Sequence, residues 1–258
     1  MKKILSILAA IGAVIGPTRA AQTNDLPPLV EVLQRAVARA DAENKNDEQF
    51  HRHYHYARTR LREFRNAKGE LKKREEKRND GGVALDATAR PPTSAAKPAV
   101  KDAPVSDTHS NVRGKPVAMN DFSRALLERF DFTLVGREMN NNRATLVLDF
   151  QPKKMKLPER SFKDKFINKA AGRAWVDEAD AAVAKAELYL TDRVNVLGGL
   201  VGAVWKFTYS FDRARTPEGW WYARQVDWHL EGREVLVNRV VDYHEQKTDA
   251  VKVFEVAR

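Results

Sequence analysis

Residues 203–230 read AVWKFTYSFDRARTPEGWWYARQVDWHL, and this stretch decides the fold class. On both sides of Pro217-Glu218-Gly219, apolar and polar residues alternate, which is the period of a strand with one buried face. The Pro-Glu-Gly segment itself is typical of a tight turn. The stretch therefore predicts two antiparallel strands that carry many aromatic side chains on one face.

The same alternation continues on both sides of this hairpin. Further strands are predicted at 130–135, 144–150, 172–177, 182–190, 235–243 and 250–256. Because short segments connect them, successive strands are expected to be antiparallel neighbours. We therefore expect an α+β fold that is mainly antiparallel β, with about nine to eleven strands in a curved sheet or incomplete β-barrel.

An amphipathic helix is predicted over residues 26–43. Leu29, Val32 and Leu33 begin an apolar stripe at helical spacing, and the opposite side of the helix is charged. Such a stripe must be buried, most simply against the sheet. The helices are therefore expected to close the curved sheet.

Residues 50–78 predict a polar hairpin around a turn at 66–69, and a single basic helix is the alternative. On a strand, His51, His53 and His55 would share one side, opposite Tyr54 and Tyr56. Alternate histidines can chelate a divalent ion, but a closed metal site needs a fourth ligand that nothing nearby supplies. We therefore expect a solvated histidine face and no metal.

The predicted hairpin is strongly basic. Between residues 58 and 78 there are ten Lys or Arg and four Glu, whereas the formal net charge of the whole chain is +10. Such a patch attracts an anionic membrane surface or an acidic protein partner. The alternative is a solvated hairpin whose charges protect a sheet edge. The residues expected to contact an anionic surface are Arg58, Arg60, Arg62, Lys72 and Arg74.

Residues 1–20 have the layout of a signal peptide: two lysines, an apolar run, then small residues after Pro17. We therefore expect a periplasmic protein, with nucleic acid excluded as a partner. Residues 21–80 are predicted to form the N-terminal helix and hairpin, and 119–258 the main β-half-barrel. Between them, the Pro- and Ala-rich residues 81–118 are predicted to be flexible. The absence of cysteine excludes disulfides, thiolate metal sites and thiol chemistry.

No catalytic motif appears in the chain, so we expect a protein that is not an enzyme and has no cofactor. The aromatic strands are the better candidate for function. They form ordinary core or, collectively, they line a cavity for an apolar ligand. The residues predicted to line it are Trp205, Phe207, Tyr209, Phe211, Trp220, Tyr222 and Trp228.

One stretch also resembles a known family. Gly172-Arg173-Ala174-Trp175-Val176-Asp177, followed by an acidic turn and Lys185-Ala186-Glu187, is similar to the G-x-x-W-x-D hairpin of the LolA-like outer-membrane lipoprotein-sorting superfamily. The later order, with Phe207-Thr208-Tyr209, Gly219-Trp220-Trp221-Tyr222 and Gly232-Arg233-Glu234, fits the same resemblance. It implies an open half-barrel with a helical lid that shelters acyl chains without covalent chemistry.

The leading hypothesis is a periplasmic module that binds lipid or the acyl chains of a lipoprotein. Leu29, Val32 and Leu33 of the first helix are then predicted to be its lid contacts. The alternative is a sensor or protein-interaction module on the same fold, which recognises a partner and carries no lipid. A metal-dependent hydrolase built on the histidines lacks both a ligand set and a base.

Overall fold

The computed structural model describes residues 26–83, 124–159, 161–196, 202–234 and 237–253. The predicted signal peptide lies outside these residues, and so does the predicted flexible segment from residue 84 onward. The first residues of that segment, Gly81 and Gly82, belong to a strand.

Within these ranges, ten antiparallel strands form one sheet. They are β1 (Tyr54–Arg65), β2 (Leu71–Gly82), β3 (Phe130–Asn140), β4 (Arg143–Pro152), β5 (Ala170–Asp177), β6 (Val183–Leu190), β7 (Val194–Val196), β8 (Gly202–Arg215), β9 (Trp221–Glu234) and β10 (Val237–Lys252). Their order is β2-β1-β10-β9-β8-β6-β5-β4-β3, with β7 paired to β8. Among the described strands, the end strands β2 and β3 do not pair with each other, so the sheet stays open. This confirms the predicted mainly antiparallel, incomplete barrel.

The hairpin predicted over residues 50–78 is part of this sheet from Tyr54 onward. β1 pairs with β2 on one side and with β10 on the other, where Arg62 lies opposite Tyr243. β10 is a single strand, so the prediction of separate strands at 235–243 and 250–256 is wrong. The segment between them stays extended because β1 supplies partners for it, such as Leu61 for His244.

In the described residues, four α-helices accompany the sheet: α1 (Leu29–Ala42), α2 (Asn46–His53), α3 (Arg124–Leu127) and α4 (Phe162–Ile167). The predicted first helix is confirmed by α1. The prediction of a strand from residue 50 is wrong, because α2 continues to His53. Its Phe50 is fully buried against the rings of Tyr54, Tyr56 and Tyr222, and this packing overrides the local alternation. No helix in the described ranges has the length and apolar character needed to cross a membrane.

The helices pack on one side of the sheet, which we call the helix face. α1 places Val32 and Ala36 against Leu146, Leu148 and Val176 of β4 and β5. Phe166 of α4 lies 4.8 Å, ring to ring, from Phe207 of β8. The other side, which carries Thr208, His229 and Asp242, is called the open face. Since side chains alternate along a strand, the register assigns every strand residue to one of the two faces.

Candidate functional site

An aromatic cluster occupies the middle of the helix face, across β4, β5, β6, β8, β9 and β10. Its buried members are Ala174, Ala186, Tyr209, Phe211 and Trp228. Around them stand apolar side chains that are only partly buried: Phe150, Val183, Leu188, Phe207, Val226, Leu230, Val241 and Tyr243. We call these thirteen residues the central cluster. All of them are strand residues, so within the described part of the chain the cluster contains no helix side chain.

Four of the seven predicted lining residues meet in the central cluster: Phe207, Tyr209, Phe211 and Trp228. Trp220 and Tyr222 lie elsewhere, in the cluster around Phe50 that anchors α2. They therefore pack the end of the sheet rather than its middle.

Trp205 does not join either group. Val204 pairs with Gly232 and Lys206 with the next residue, Glu231, so Trp205 is the extra residue of a β-bulge. Its side chain is 37% exposed, and Val204 takes the buried position. The alternation in the sequence suggested that Trp205 and Phe207 share a face, but one inserted residue breaks that relation.

The predicted lid residues lie on α1, beside the central cluster and not over it. Val32 is buried, and Leu29 and Leu33 are partly buried against the same group on β4 and β5. α1 therefore covers one flank of the helix face, α2 covers the end around Phe50, and α4 reaches Phe207. Between them the partly buried members of the central cluster keep accessible apolar surface.

One row of residues that pair across neighbouring strands crosses the cluster; we call it the register row. Its side chains are apolar at one end and charged at the other. Leu188, Tyr209, Trp228, Tyr243 and Arg62 lie opposite one another on five adjacent strands. The rings of Trp228 and Tyr243 stack at 5.3 Å, and the Arg62 guanidinium carbon is 5.6 Å from the Tyr243 centroid. Burial raises the pKa of the Tyr243 hydroxyl to about 12, so it stays protonated at neutral pH.

The basic residues predicted to form one patch are divided by the register. Arg58, Arg60 and Arg62 alternate along β1 and stand on the helix face, next to the central cluster. Arg74 lies opposite Glu63 on the open face, and Lys72 is the extra residue at a register shift. The five predicted contacts therefore do not form one surface.

Two groups of β10 shape the electrostatics beside these arginines. Glu245 accepts hydrogen bonds from Arg58 at 2.7 Å and from the Tyr243 hydroxyl at 2.5 Å. Burial alone would raise the pKa of Glu245, but these bonds outweigh it and lower the pKa. Lys247 is buried, and desolvation lowers the pKa of its ammonium group. Lys247 is not among the residues predicted from the sequence. It follows Tyr243 and Glu245 at every second position, and this alternation alone would have placed it on their face of the sheet.

On the opposite side of the sheet from the register row, the open face carries a trough with a volume of about 510 Å³. Two Asp-aromatic-His segments line it: Asp227 faces His244, and Asp242 faces His229, across β9 and β10. His229 is 2.7 Å from Asp242 and 2.9 Å from Glu231, and His244 bonds Asp227. The two histidines of this trough and the carboxylates beside them therefore satisfy one another.

His51, His53 and His55, whose spacing in the sequence resembles that of metal ligands, do not share a face in the structure. His51 and His53 belong to α2 and only His55 lies on β1. His51 Nδ1 is 2.6 Å from the Tyr56 hydroxyl, and His55 Nδ1 is 3.0 Å from the carbonyl of Val83. In the part of the chain that the structure describes, no group of three or more His, Asp or Glu side chains is placed to hold a metal ion.

Neither a protein-family model nor a curated protein matches this chain. Among solved structures, the chain is similar to a domain assigned to outer membrane lipoprotein sorting from Vibrio parahaemolyticus, at 12% identity and a TM-score of 0.34. That match covers 88% of this chain and 95% of the other.

Two further structures are similar in the same way. One is a DUF1329 family protein from Desulfovibrio piger, with 12% identity, a TM-score of 0.36 and coverage of 90% of this chain and 96% of the other. The other is a LolA superfamily protein from Nitrosomonas europaea, with 12% identity, a TM-score of 0.31 and coverage of 87% and 94%. The Nitrosomonas europaea protein carries the name of the superfamily that residues 172–187 resemble. TM-scores this low carry no argument of their own, so the fold class stands on the observed sheet.

Proposed function

We propose that this chain is a non-catalytic, periplasmic binding protein that shelters an apolar ligand, a lipid or the acyl chains of a lipoprotein, on the central cluster. The observation that supports the proposal is the partly buried apolar ring of that cluster. Leu188, Phe207, Leu230 and Val241 keep accessible surface on a face that helices otherwise cover. Apolar side chains that stay partly accessible side by side on one face are a typical lining of a binding site.

The geometry suits a chain-like ligand better than a compact one. The partly buried side chains lie on adjacent strands about 4.8 Å apart, so together they form a strip across the sheet. Accessible apolar area on such a strip stabilises an acyl chain by about 0.8 kcal/mol for each methylene that it buries. Binding of this kind involves no covalent step. A role in outer-membrane lipoprotein or lipid trafficking is the corresponding hypothesis.

Quenching of tryptophan fluorescence tests this proposal directly. A monoacylglycerol with a dibrominated chain quenches only the indoles that the chain approaches closely. We expect saturable quenching, most of which is lost in Trp228→Phe. Trp205→Phe is the matched control, because Trp205 lies on the exposed bulge outside the central cluster.

Two results would contradict the proposal. One is the absence of saturable quenching in the wild-type protein. The other is an equal loss of quenching in both variants, which would place the chain elsewhere. Mass spectrometry of an organic extract of the purified protein gives an independent readout. A stoichiometric partner protein retained without any lipid would favour the alternative, a sensor or interaction module.

A further inference from the structure

The helix face of β1, β9 and β10 holds buried hydrogen-bond donors that lack an acceptor. Within the described residues, the Nε atoms of Arg58, Arg60 and Arg62 and the Nε1 atom of Trp228 are buried and make no hydrogen bond. Trp228 is only 8% exposed. A buried donor without an acceptor costs free energy, and each such group in a native protein calls for an explanation.

All four atoms are donors, and three belong to cations. Arg58 has a carboxylate partner in Glu245, but in the described ranges neither Arg60 nor Arg62 forms an ion pair. The other acid on this part of the face, Glu75, is paired with Lys73 at 2.5 Å. Lys77, opposite Arg60, adds a further positive charge. The acceptor that fits here is an anion.

The open face provides the contrast. There, too, histidines, arginines and carboxylates are concentrated on neighbouring strands, but the side chains neutralise one another, as in the pair of Arg65 with Glu63 at 2.5 Å. The four unsatisfied donors therefore lie together on the helix face, where the side-chain oxygen of Asn79, opposite Arg58, also lacks a partner; elsewhere, the amide nitrogens of Asn46 and Asn140 are buried without one. The four donors lie directly beside the apolar strip of the central cluster.

We propose that the ligand is an acyl amphiphile with an anionic phosphate headgroup, and that Arg60 and Arg62 bind the phosphate. This rests on the proposed function, because the acyl chain would lie on the central cluster. Arg60 and Arg62 are about 7 Å apart along β1, so two guanidinium groups can donate to one phosphate. The register row then continues through Tyr243 to Trp228, whose free N–H suits an ester oxygen between headgroup and chain. The order of charged, polar and apolar groups along the row matches that of the amphiphile.

Calorimetry with two ligands of equal chain length tests the inference. The ligands are 1-oleoyl lysophosphatidic acid and 1-oleoyl glycerol, each below its critical micelle concentration, with inorganic phosphate as a third probe. We expect the wild-type protein to bind the phosphate amphiphile about tenfold more tightly than the neutral one, because charge-assisted hydrogen bonds form only to the former. Inorganic phosphate alone should bind much more weakly, since it buries no chain.

The variant is the double substitution Arg60→Gln and Arg62→Gln. We expect it to lose about tenfold in affinity for lysophosphatidic acid and less than about twofold for 1-oleoyl glycerol. The matched control is Lys72→Gln with Arg74→Gln, which removes the same charge from the same hairpin; Arg74 lies on the open face and Lys72 is the extra residue at the register shift. The control should change neither affinity by more than about twofold. Circular dichroism and melting temperature show that each variant is folded.

The outcomes separate the two proposals. If neither acyl ligand binds the wild-type protein, both the proposed function and this inference fail. If both ligands bind with equal affinity, or if the two double variants lose equal affinity, the acyl site stands and the phosphate contact is refuted. If inorganic phosphate binds as tightly as the amphiphile, the arginines form a site for a free anion and the inference is also refuted.

Discussion

At the scale of single residues, Gly172 shows how closely the central strands approach one another. A Cβ atom at this position would lie 2.0 Å from the carbonyl oxygen of Glu187 and 2.8 Å from the Cα atom of Leu188. Both atoms belong to the backbone of the adjacent strand β6, which cannot move without disturbing the ladder. The glycine of the G-x-x-W-x-D stretch is therefore required by packing.

We expect Gly172→Ala to lower the free energy of unfolding by about 1–3 kcal/mol, because the added methyl group overpacks the β5–β6 contact. Gly136→Ala is the control, since a Cβ atom there meets nothing within 4 Å. That substitution should be neutral or slightly stabilising through the unfolded state. Denaturant unfolding measures both. Equal changes in the two variants would contradict the packing argument.

Individual site residues were predictable where the alternation is unbroken. Phe207, Tyr209 and Phe211 share a face as the sequence indicates, and Trp228 faces Tyr209 across β8 and β9. Trp205 was not predictable, because the bulge that displaces it depends on how β8 pairs with β9. An isolated strand with the same sequence carries no sign of the inserted residue.

At the scale of elements, α2 owes its position to one side chain. Phe50 is fully buried, and its ring stacks on that of Tyr222 at 3.8 Å and on that of Tyr54 at 5.1 Å. The helix is only eight residues long, so its intrinsic stability in water is small. Tertiary contacts of Phe50 must therefore hold it.

We expect Phe50→Ala to cost about 3–5 kcal/mol in the free energy of unfolding, because it leaves a cavity among three tyrosines. The control is Val30→Ala on α1, where the side chain is 65% exposed and the change should stay within about 0.5 kcal/mol. Denaturant unfolding again gives the measurement. If Phe50→Ala were as mild as the control, α2 would be held by other contacts.

At the scale of the whole molecule, a carboxylate ties the β8–β9 turn to the two strands that end nearby. Glu218 accepts hydrogen bonds from Lys252 of β10 at 2.5 Å and from the hydroxyl of Tyr54 of β1 at 2.6 Å. The bond from Lys252, followed by that from Tyr54, lowers the pKa of Glu218 from 4.5 to about 2. The carboxylate therefore favours the folded state as long as it is ionised.

This pKa has a definite consequence for acid stability. A carboxyl group whose pKa is lower in the folded state contributes stability above its unfolded pKa and loses it as the pH falls to the folded value. We expect the melting temperature to fall between about pH 4.5 and about pH 2, and to fall less in Glu218→Gln. At pH 7 the variant should be the less stable protein. If the melting temperatures of the wild-type protein and the variant fell by the same amount over this pH range, this carboxylate would not link folding to pH.

The sequence by itself determined the local elements of this protein. The alternating runs predicted the β5–β6 and β8–β9 hairpins, and the apolar stripe predicted α1, because side-chain periodicity decides which face of an element is buried. The same periodicity, with the short connections between strands, indicated a mainly antiparallel sheet. These features depend on residues that are close in the chain.

Only the tertiary structure decided which distant elements meet. The pairing of β1 with β10 joins residues almost 190 positions apart, such as Arg58 and Lys247, and no local pattern specifies it. That pairing turns two apparent strands into one, and it brings the arginines of β1 beside the ring of Tyr243 on β10. Register is set by the summed burial of a whole face, so it emerges only when all the strands are in place.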